Sequence, residues 1–136
     1  AGELAEKFSG TTYAALGALL AGKQSFEAGD LKTAKVQLAW AAEHAKDELR
    51  DLARLRLAAV LLDEKAYDEA LKQVMSSGGP EFAPRFDELK GDILAAQGKK
   101  AEAHAAYRAA LANSLLKPGV GREVLQQKFD SLGEAV

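Results

Sequence analysis

The sequence predicts an all-α protein, a solenoid of about three helical hairpins closed by a C-terminal capping helix. Alanine makes up about a fifth of the 136 residues, only three prolines interrupt the chain, and one helix–turn–helix pattern recurs three times. Because alanine is the strongest helix former and proline the strongest breaker, this composition favours helices throughout. The length fits a single domain spanning residues 1–136.

The recurring pattern is defined by three turn positions, Gly29, Lys65 and Gly98, which are 36 and 33 residues apart. A small residue stands seven positions before each turn, an alanine five positions after it, and a larger side chain four positions further on. The three sets are Gly22, Ala34 and Leu38; Ala58, Ala70 and Val74; and Gly91, Ala103 and Tyr107. A period of about 34 residues is that of the tetratricopeptide unit, so we expect tetratricopeptide-like hairpins.

Two glycines, Gly91 and Gly98, lie in a segment otherwise rich in helix formers. Glycine in a helix interior costs about 1 kcal/mol relative to alanine, so each needs a structural reason. We expect Gly91 where two antiparallel helices cross closely, and Gly98 where the chain leaves a helix in the left-handed conformation. The alternative is a chance match of alanine-rich amphipathic helices, against which four coinciding positions in three units argue.

Turn signals divide the chain into repeats at about 12–46, 48–78 and 82–115, followed by a capping helix at about 121–133. Residues 1–8 are expected to end an earlier helix, and Thr11 or Thr12 to cap the next one. The predicted helices span roughly residues 12–28, 31–45, 48–63, 67–77, 82–97, 100–114 and 121–132.

The last predicted helix, "REVLQQKFDSLG", is amphipathic, with Val124, Leu125, Phe129 and Leu132 on one face. A helix of this kind after the final repeat would cover the apolar flank that a stacked array exposes. A membrane-surface role is disfavoured because its polar face lacks a basic bias.

No feature of the sequence indicates catalysis, a cofactor or a metal site. The net charge of -2 and the pI near 5.7 argue against nucleic-acid binding, and the absence of cysteine excludes thiolate chemistry. His44 and His104 have no partner at metal-ligand spacing and are expected on the surface. Nucleophile-elbow and phosphate-loop motifs are missing, so we predict a non-enzymatic protein.

Trp40, the single tryptophan, falls among Val36, Leu38 and Ala41 on the second helix of the first repeat. Since the indole follows the apolar stripe of that helix, packing in the core or between repeats is favoured over a ligand platform.

In stacked hairpins the first helices line a concave face where partner segments dock. We predict that this face changes from apolar to charged along the chain, and that it binds a partner protein. A clamp for a C-terminal carboxylate is poorly supported, because only Lys23 and Arg85 could serve in it. The alternative is that its leucines are buried, leaving no open groove. The residues counted onto the face are Leu16, Leu19, Lys23 and Phe26, then Leu52, Leu55, Ala59 and Leu62, then Arg85, Glu88, Asp92 and Ala95.

Four segments in order resemble the YfgM family of bacterial inner-membrane proteins, and together they cover nearly the whole chain. They are "TYAALGALLAGKQSFEAGDLKTA", "LRLAAVLLDEKAYDEAL", "LKGDILAAQGKKAEAHAAY" and "LQQKFDSLG". The specificity of the resemblance depends on their order and on the closing helix, because one hairpin alone fits many tetratricopeptide proteins.

The resemblance implies a periplasmic repeat domain whose single membrane-spanning anchor lies outside this sequence. It also implies association with the Sec translocon and with a membrane-anchored periplasmic chaperone related to prolyl isomerases. A cytosolic tetratricopeptide adaptor for assembly or signalling is the alternative. About twenty apolar residues upstream of the chain would decide for the anchored protein. An enzyme on a repeat-like scaffold is a third, weaker reading.

Overall fold

A computed structural model describes residues 10–75, 78–113 and 115–133, and within these ranges the chain forms seven α-helices and no strand. This confirms the predicted all-α class. The helices are α1 (Gly10–Glu27), α2 (Leu31–His44), α3 (Asp47–Asp63), α4 (Tyr67–Met75), α5 (Ala83–Ala96), α6 (Lys100–Ala112) and α7 (Val120–Leu132).

The start of α1 differs from the prediction. The helix begins at Gly10, so Thr11 and Thr12 lie inside its first turn and neither is its cap. The helix end predicted at residues 1–8 lies outside the described residues.

The chain divides into two compact units, Ala1–Lys65 and Ala66–Val136, and the boundary falls inside the second predicted repeat. In the first unit, α1 packs along α2, and α3 packs on both. In the second unit, α5 packs on α4 and α6, and α7 packs on α6. The first and third predicted hairpins, α1–α2 and α5–α6, are therefore present as antiparallel pairs.

All three predicted turn positions have positive φ: +85° at Gly29, +62° at Lys65 and +81° at Gly98. At the end of α5, the Gly98 N–H donates to the Ala95 carbonyl at 3.0 Å, and the Lys99 N–H donates to Leu94 at 2.9 Å. These two bonds satisfy carbonyls that the helix end leaves open. The left-handed conformation expected at Gly98 is confirmed.

Asp30 joins the first two helices. Its N–H donates to the Ser25 carbonyl at 2.8 Å and closes α1, while its carboxylate accepts from the Thr33 N–H at 3.1 Å and caps α2. The hydrogen bonds from Thr33 lower the pKa of Asp30 because they favour the ionised carboxylate.

Gly22 and Gly91 lie where the helices of each hairpin cross. A Cβ atom added at Gly22 would lie 2.6 Å from Cγ of Leu38, and one at Gly91 would lie 2.5 Å from Cε1 of Tyr107. Both distances are far below van der Waals contact, so each glycine admits a large side chain from the facing helix. The crossing predicted at Gly91 is confirmed.

The alanines of the repeat pattern lie in the core. Ala34, Ala70 and Ala103 are each fully buried. The larger residues four positions later, Leu38 and Tyr107, fill the space beside the crossing glycines.

The closing helix α7 packs through part of its predicted apolar face. Leu125 is fully buried against a cluster that includes Leu94 and Tyr107, while Phe129 and Leu132 are partly buried beside it. Val124 is 41% exposed and does not share this packing. None of the helices in the described ranges is long and apolar enough to cross a membrane.

Candidate functional site

Three of the predicted groove residues, Lys23, Phe26 and Ala59, converge on one pocket of about 260 Å³ in the first unit. Helix α1 supplies Lys23, Phe26 and Glu27, α3 supplies Arg56 and Ala59, and the buried Leu38 of α2 contributes to its floor. We call this pocket the first-unit groove.

Two predicted contact residues prove to be packing residues. Leu19 is 3% exposed and Leu55 is 5% exposed, so neither presents a surface that a partner could touch. Their assignment to the groove is therefore wrong, because both side chains are buried in the core between the helices. Leu16, Leu52 and Leu62 are half-buried and keep part of their side chains accessible.

The first-unit groove carries two cations and one anion beside apolar carbon. Lys23 and Glu27 are exposed, and Arg56 is half-buried. The Arg56 Nη1 donates to the Leu19 carbonyl at 3.5 Å, a long hydrogen bond to a neutral acceptor. Across the part of the chain that the structure describes, neither Lys23 nor Arg56 forms an ion pair.

The charged end of the predicted face, in the second unit, is engaged within the chain. The Lys128 Nζ of α7 lies 2.7 Å from Glu88 Oε2 and 3.1 Å from Asp92 Oδ2. Asp92 also accepts a hydrogen bond from the Tyr107 hydroxyl at 2.7 Å. Glu88 and Asp92 therefore hold the closing helix, while Arg85 stays exposed with its guanidinium 5.6 Å from the Phe82 ring centre.

This cluster shifts the protonation of its members. Burial, together with the hydrogen bond to Asp92, raises the pKa of Tyr107. Burial on its own would lower the pKa of Lys128, but its hydrogen bonds to Glu88 and Asp92 outweigh that effect and raise the pKa. The neutral phenol and the charged ammonium are thus the forms that the fold favours.

A second groove of about 500 Å³ lies between α4, α5 and α6, and the sequence pattern does not reveal it. Leu71, Leu94 and Ala106 supply apolar surface, and Met75 is 64% exposed at the end of the short helix α4. Asp87 borders this second-unit groove, and burial raises its pKa although nearby Lys90 opposes the shift.

The predicted positions of the tryptophan and the two histidines agree only in part with the structure. Trp40, predicted to pack in the core or between repeats, is 38% exposed and stacks on the exposed His44 at 4.2 Å between ring centres, so it does not lie in the core. His104, predicted on the surface, is only 7% exposed and stacks on Phe129 at 3.9 Å. The surface position of His44 is confirmed.

The described residues bring apolar and charged side chains together around the first-unit groove. Within residues 10–75, 78–113 and 115–133, no group of three histidine, aspartate or glutamate side chains could hold a metal ion. What converges in the first-unit groove is apolar carbon with flanking charge, which suits a peptide segment.

Comparison with known families finds a match along almost the whole chain. The family described as "Tetratricopeptide repeat-like domain" matches residues 1–134. No solved structure matches the chain.

Two curated proteins are similar to the chain, and both are named "Ancillary SecYEG translocon subunit". The protein from Neisseria gonorrhoeae is 39% identical over 131 residues, which is 96% of this chain and 62% of that protein. The protein from Escherichia coli is 33% identical over 132 residues, covering 94% and 63% respectively. These matches confirm the resemblance to the YfgM family, and the chain spans about three fifths of the length of these relatives.

Proposed function

Because the chain belongs to the family of tetratricopeptide repeat-like domains, we propose that it is a non-catalytic protein–protein interaction module that serves the bacterial Sec translocon. The names of the two relatives support an association with the translocon. The repeat fold supports a binding role rather than a catalytic one. Fold alone does not assign a function, so the proposal depends on a specific site.

The observation that carries the proposal is the first-unit groove. Lys23 and Phe26 of α1 meet Ala59 of α3 around one opening, as expected of a surface that docks a partner segment. The groove combines an aromatic side chain with flanking charges, a composition typical of binding hot spots. It lies entirely within the first unit.

We place the module on the periplasmic side of the inner membrane, with an anchor outside the present sequence. The resemblance to the YfgM family supports this placement. It also supports a second partner, a membrane-anchored periplasmic chaperone related to prolyl isomerases. In this proposal the module holds the chaperone near the translocon exit and so assists export.

The test is capture of purified SecYEG, and separately of the purified chaperone, by the full-length protein in detergent. Lys23→Glu reverses an exposed charge in the groove, and Phe26→Ala removes its aromatic side chain. Loss of a central aromatic contact typically weakens an interface by 1 kcal/mol or more, so we expect binding to fall by about fivefold or more.

Lys32→Glu is the matched control, because it makes the same charge change on exposed surface of α2 outside the groove. Thermal unfolding of each variant separates lost contact from lost fold. Unchanged capture of both partners by folded Lys23→Glu and Phe26→Ala would remove the first-unit groove as the docking site.

A further inference from the structure

The first-unit groove has an excess of positive charge, although the whole protein has a net negative charge. The chain carries a net charge of -2 at pH 7, yet the described residues that line the groove include the cations Lys23 and Arg56 and one acid, Glu27. No ion pair neutralises either cation among the described residues. The groove therefore has a local positive excess on an acidic protein.

The position of Arg56 makes this charge available. Arg56 is half-buried, and among the described residues its one hydrogen bond goes to the Leu19 carbonyl at 3.5 Å. A guanidinium has five N–H donors, so most of its capacity remains unused by that single long bond. Planar carboxylates match this donor fork in a bidentate way, which makes them the preferred partners of arginine.

The size and walls of the groove limit what accompanies the carboxylate. At about 260 Å³ it is smaller than the roughly 300–1,000 Å³ of small-molecule sites, so it accepts one or two side chains rather than a cofactor. Its remaining accessible walls are apolar, from Phe26 and Ala59, with the fully buried Leu38 beneath them. A bulky apolar side chain next to an acid would satisfy both parts of the surface.

We propose that the first-unit groove selects partner segments in which a glutamate or aspartate side chain lies beside a large aliphatic or aromatic residue. The apolar side chain enters the groove between Phe26 and Ala59, and the carboxylate pairs with Arg56 and Lys23. This inference rests on the proposed function, since it names the chemistry of the partner segment for that same site. A partner segment with an acid in this position would also be repelled less from the groove than from the rest of this acidic protein.

Selection from a displayed library of random 12-residue peptides tests the proposal without knowledge of the partner. The library is fused through the peptide C-terminus, so that no free terminal carboxylate is offered. Wild-type chain, Arg56→Gln, Lys23→Gln and the surface control Lys32→Gln are each used as bait. We expect wild type and Lys32→Gln to enrich peptides that pair an acid with a large apolar residue.

The strongest enriched peptide is then synthesised in acetylated and amidated form, together with its acid-to-amide counterpart. Hydrogen bonds to charged groups contribute enough that replacing the acid should weaken binding to wild type about tenfold. Arg56→Gln should bind the acidic peptide about tenfold more weakly yet bind the amide counterpart equally well. Arg56→Lys should recover part of the loss, and rising salt should reduce the preference for the acid.

Any of three results would overturn the inference. The first is enrichment of neutral or basic peptides, or of none, by wild type. The second is binding to phosphatidylglycerol vesicles that depends on Arg56 while no peptide is enriched, which would assign the groove to anionic lipid. The third is a wild-type protein that proves to be a dimer in solution while Arg56→Gln is a monomer, which would assign the groove to a second copy of the chain.

The outcome is separable from that of the proposed function. If SecYEG or chaperone capture depends on Phe26 but the library shows no acidic preference, the docking site stands and the acidic selectivity fails. If acidic peptides are selected but neither partner is captured through the groove, the translocon role fails and the selectivity stands.

Discussion

The ring of Tyr107 occupies the space that a side chain at Gly91 would fill. A Cβ atom there would lie 2.5 Å from Cε1 and 2.6 Å from Cδ1 of that ring. The ring cannot swing aside freely, because its hydroxyl is hydrogen-bonded to Asp92 at 2.7 Å. Glycine at this position is therefore a packing requirement of the α5–α6 hairpin.

Replacing Gly91 by alanine should destabilise the protein. Overpacking of this kind costs about 1–3 kcal/mol, which exceeds the gain of about 0.5–1 kcal/mol from the better helix propensity of alanine. Gly17→Ala is the matched control, since a Cβ in α1 would meet nothing within 4 Å and should stabilise. Urea unfolding monitored by circular dichroism measures both. Stabilisation by Gly91→Ala would show that the crossing is looser than described.

The two turns at Lys65 and Gly98 should respond to substitution with opposite signs. Both have positive φ, +62° and +81°, a conformation that costs a residue with a side chain about 1–2 kcal/mol. Lys65→Gly should therefore raise the free energy of unfolding, and Gly98→Ala should lower it, each by about 1 kcal/mol. A Cβ at Gly98 meets no atom within 4 Å, so the change there reports the backbone alone. Equal signs in the two unfolding measurements would contradict this reading of the turns.

Tyr107→Phe should weaken the attachment of the closing helix. The substitution removes the hydrogen bond to Asp92, whose other oxygen pairs with Lys128 of α7. A bond of this kind contributes about 1 kcal/mol net, so unfolding should become easier by about that amount. Tyr67→Phe serves as the control, because the Tyr67 hydroxyl has no hydrogen bond within the described ranges. Equal free energies of unfolding for the two variants would show that the hydrogen bond contributes no net stability.

Alkaline conditions should destabilise the fold through the same cluster. The pKa of Tyr107 is raised, so above about pH 10 the unfolded chain releases this proton while the folded chain retains it. The pKa of Lys128 is also raised, so its contribution is complete below its unfolded pKa of about 10.4 and is lost as pH rises further. The melting temperature should therefore be constant near pH 8–9 and should fall above about pH 10.

The comparison with Tyr107→Phe isolates the tyrosine part of this loss. The variant has no phenol at this position, so its melting temperature should fall less steeply above about pH 10 than that of wild type. An identical slope in both proteins would mean that the titration of Tyr107 is not linked to folding.

The repeat frame could be predicted from the sequence because its signals are local. A glycine or alanine at a crossing, a turn residue and a buried alanine follow one another within about one repeat, and each has a backbone or packing reason. Gly22 with Leu38 and Gly91 with Tyr107 both match that frame. Helix boundaries agree to within a few residues for the same reason.

The composition of the groove could be predicted only in part. Successive helix residues turn by about 100°, so Leu19 and Leu55 lie near the intended face yet point into the core. Arg56 is absent from the predicted face, yet it lines the groove. Whether a residue at the edge of the face points into the core or into the groove depends on how closely α1 and α3 approach. That distance is set by tertiary packing and cannot be read from the sequence.

Individual side-chain contacts between distant segments could not be predicted from the sequence. His104 is buried because Phe129 of α7 stacks on it, and Glu88 is paired because Lys128 of the same helix reaches it. These partners are 25 and 40 residues apart and belong to no local pattern. Trp40 is exposed although it follows an apolar stripe, because the first unit does not fully cover that stripe.

The central claim, that the first-unit groove docks a translocon partner, is tested most directly by site-specific photo-crosslinking of the full-length protein in its native membrane. A photoreactive residue at Lys23 or Glu27 samples the groove, and one at Val36, which is 63% exposed on α2, samples surface outside it. The account predicts crosslinks to SecYEG or the chaperone from both groove positions and none from Val36. Crosslinks from Val36 alone, or equally from all three positions, would contradict it.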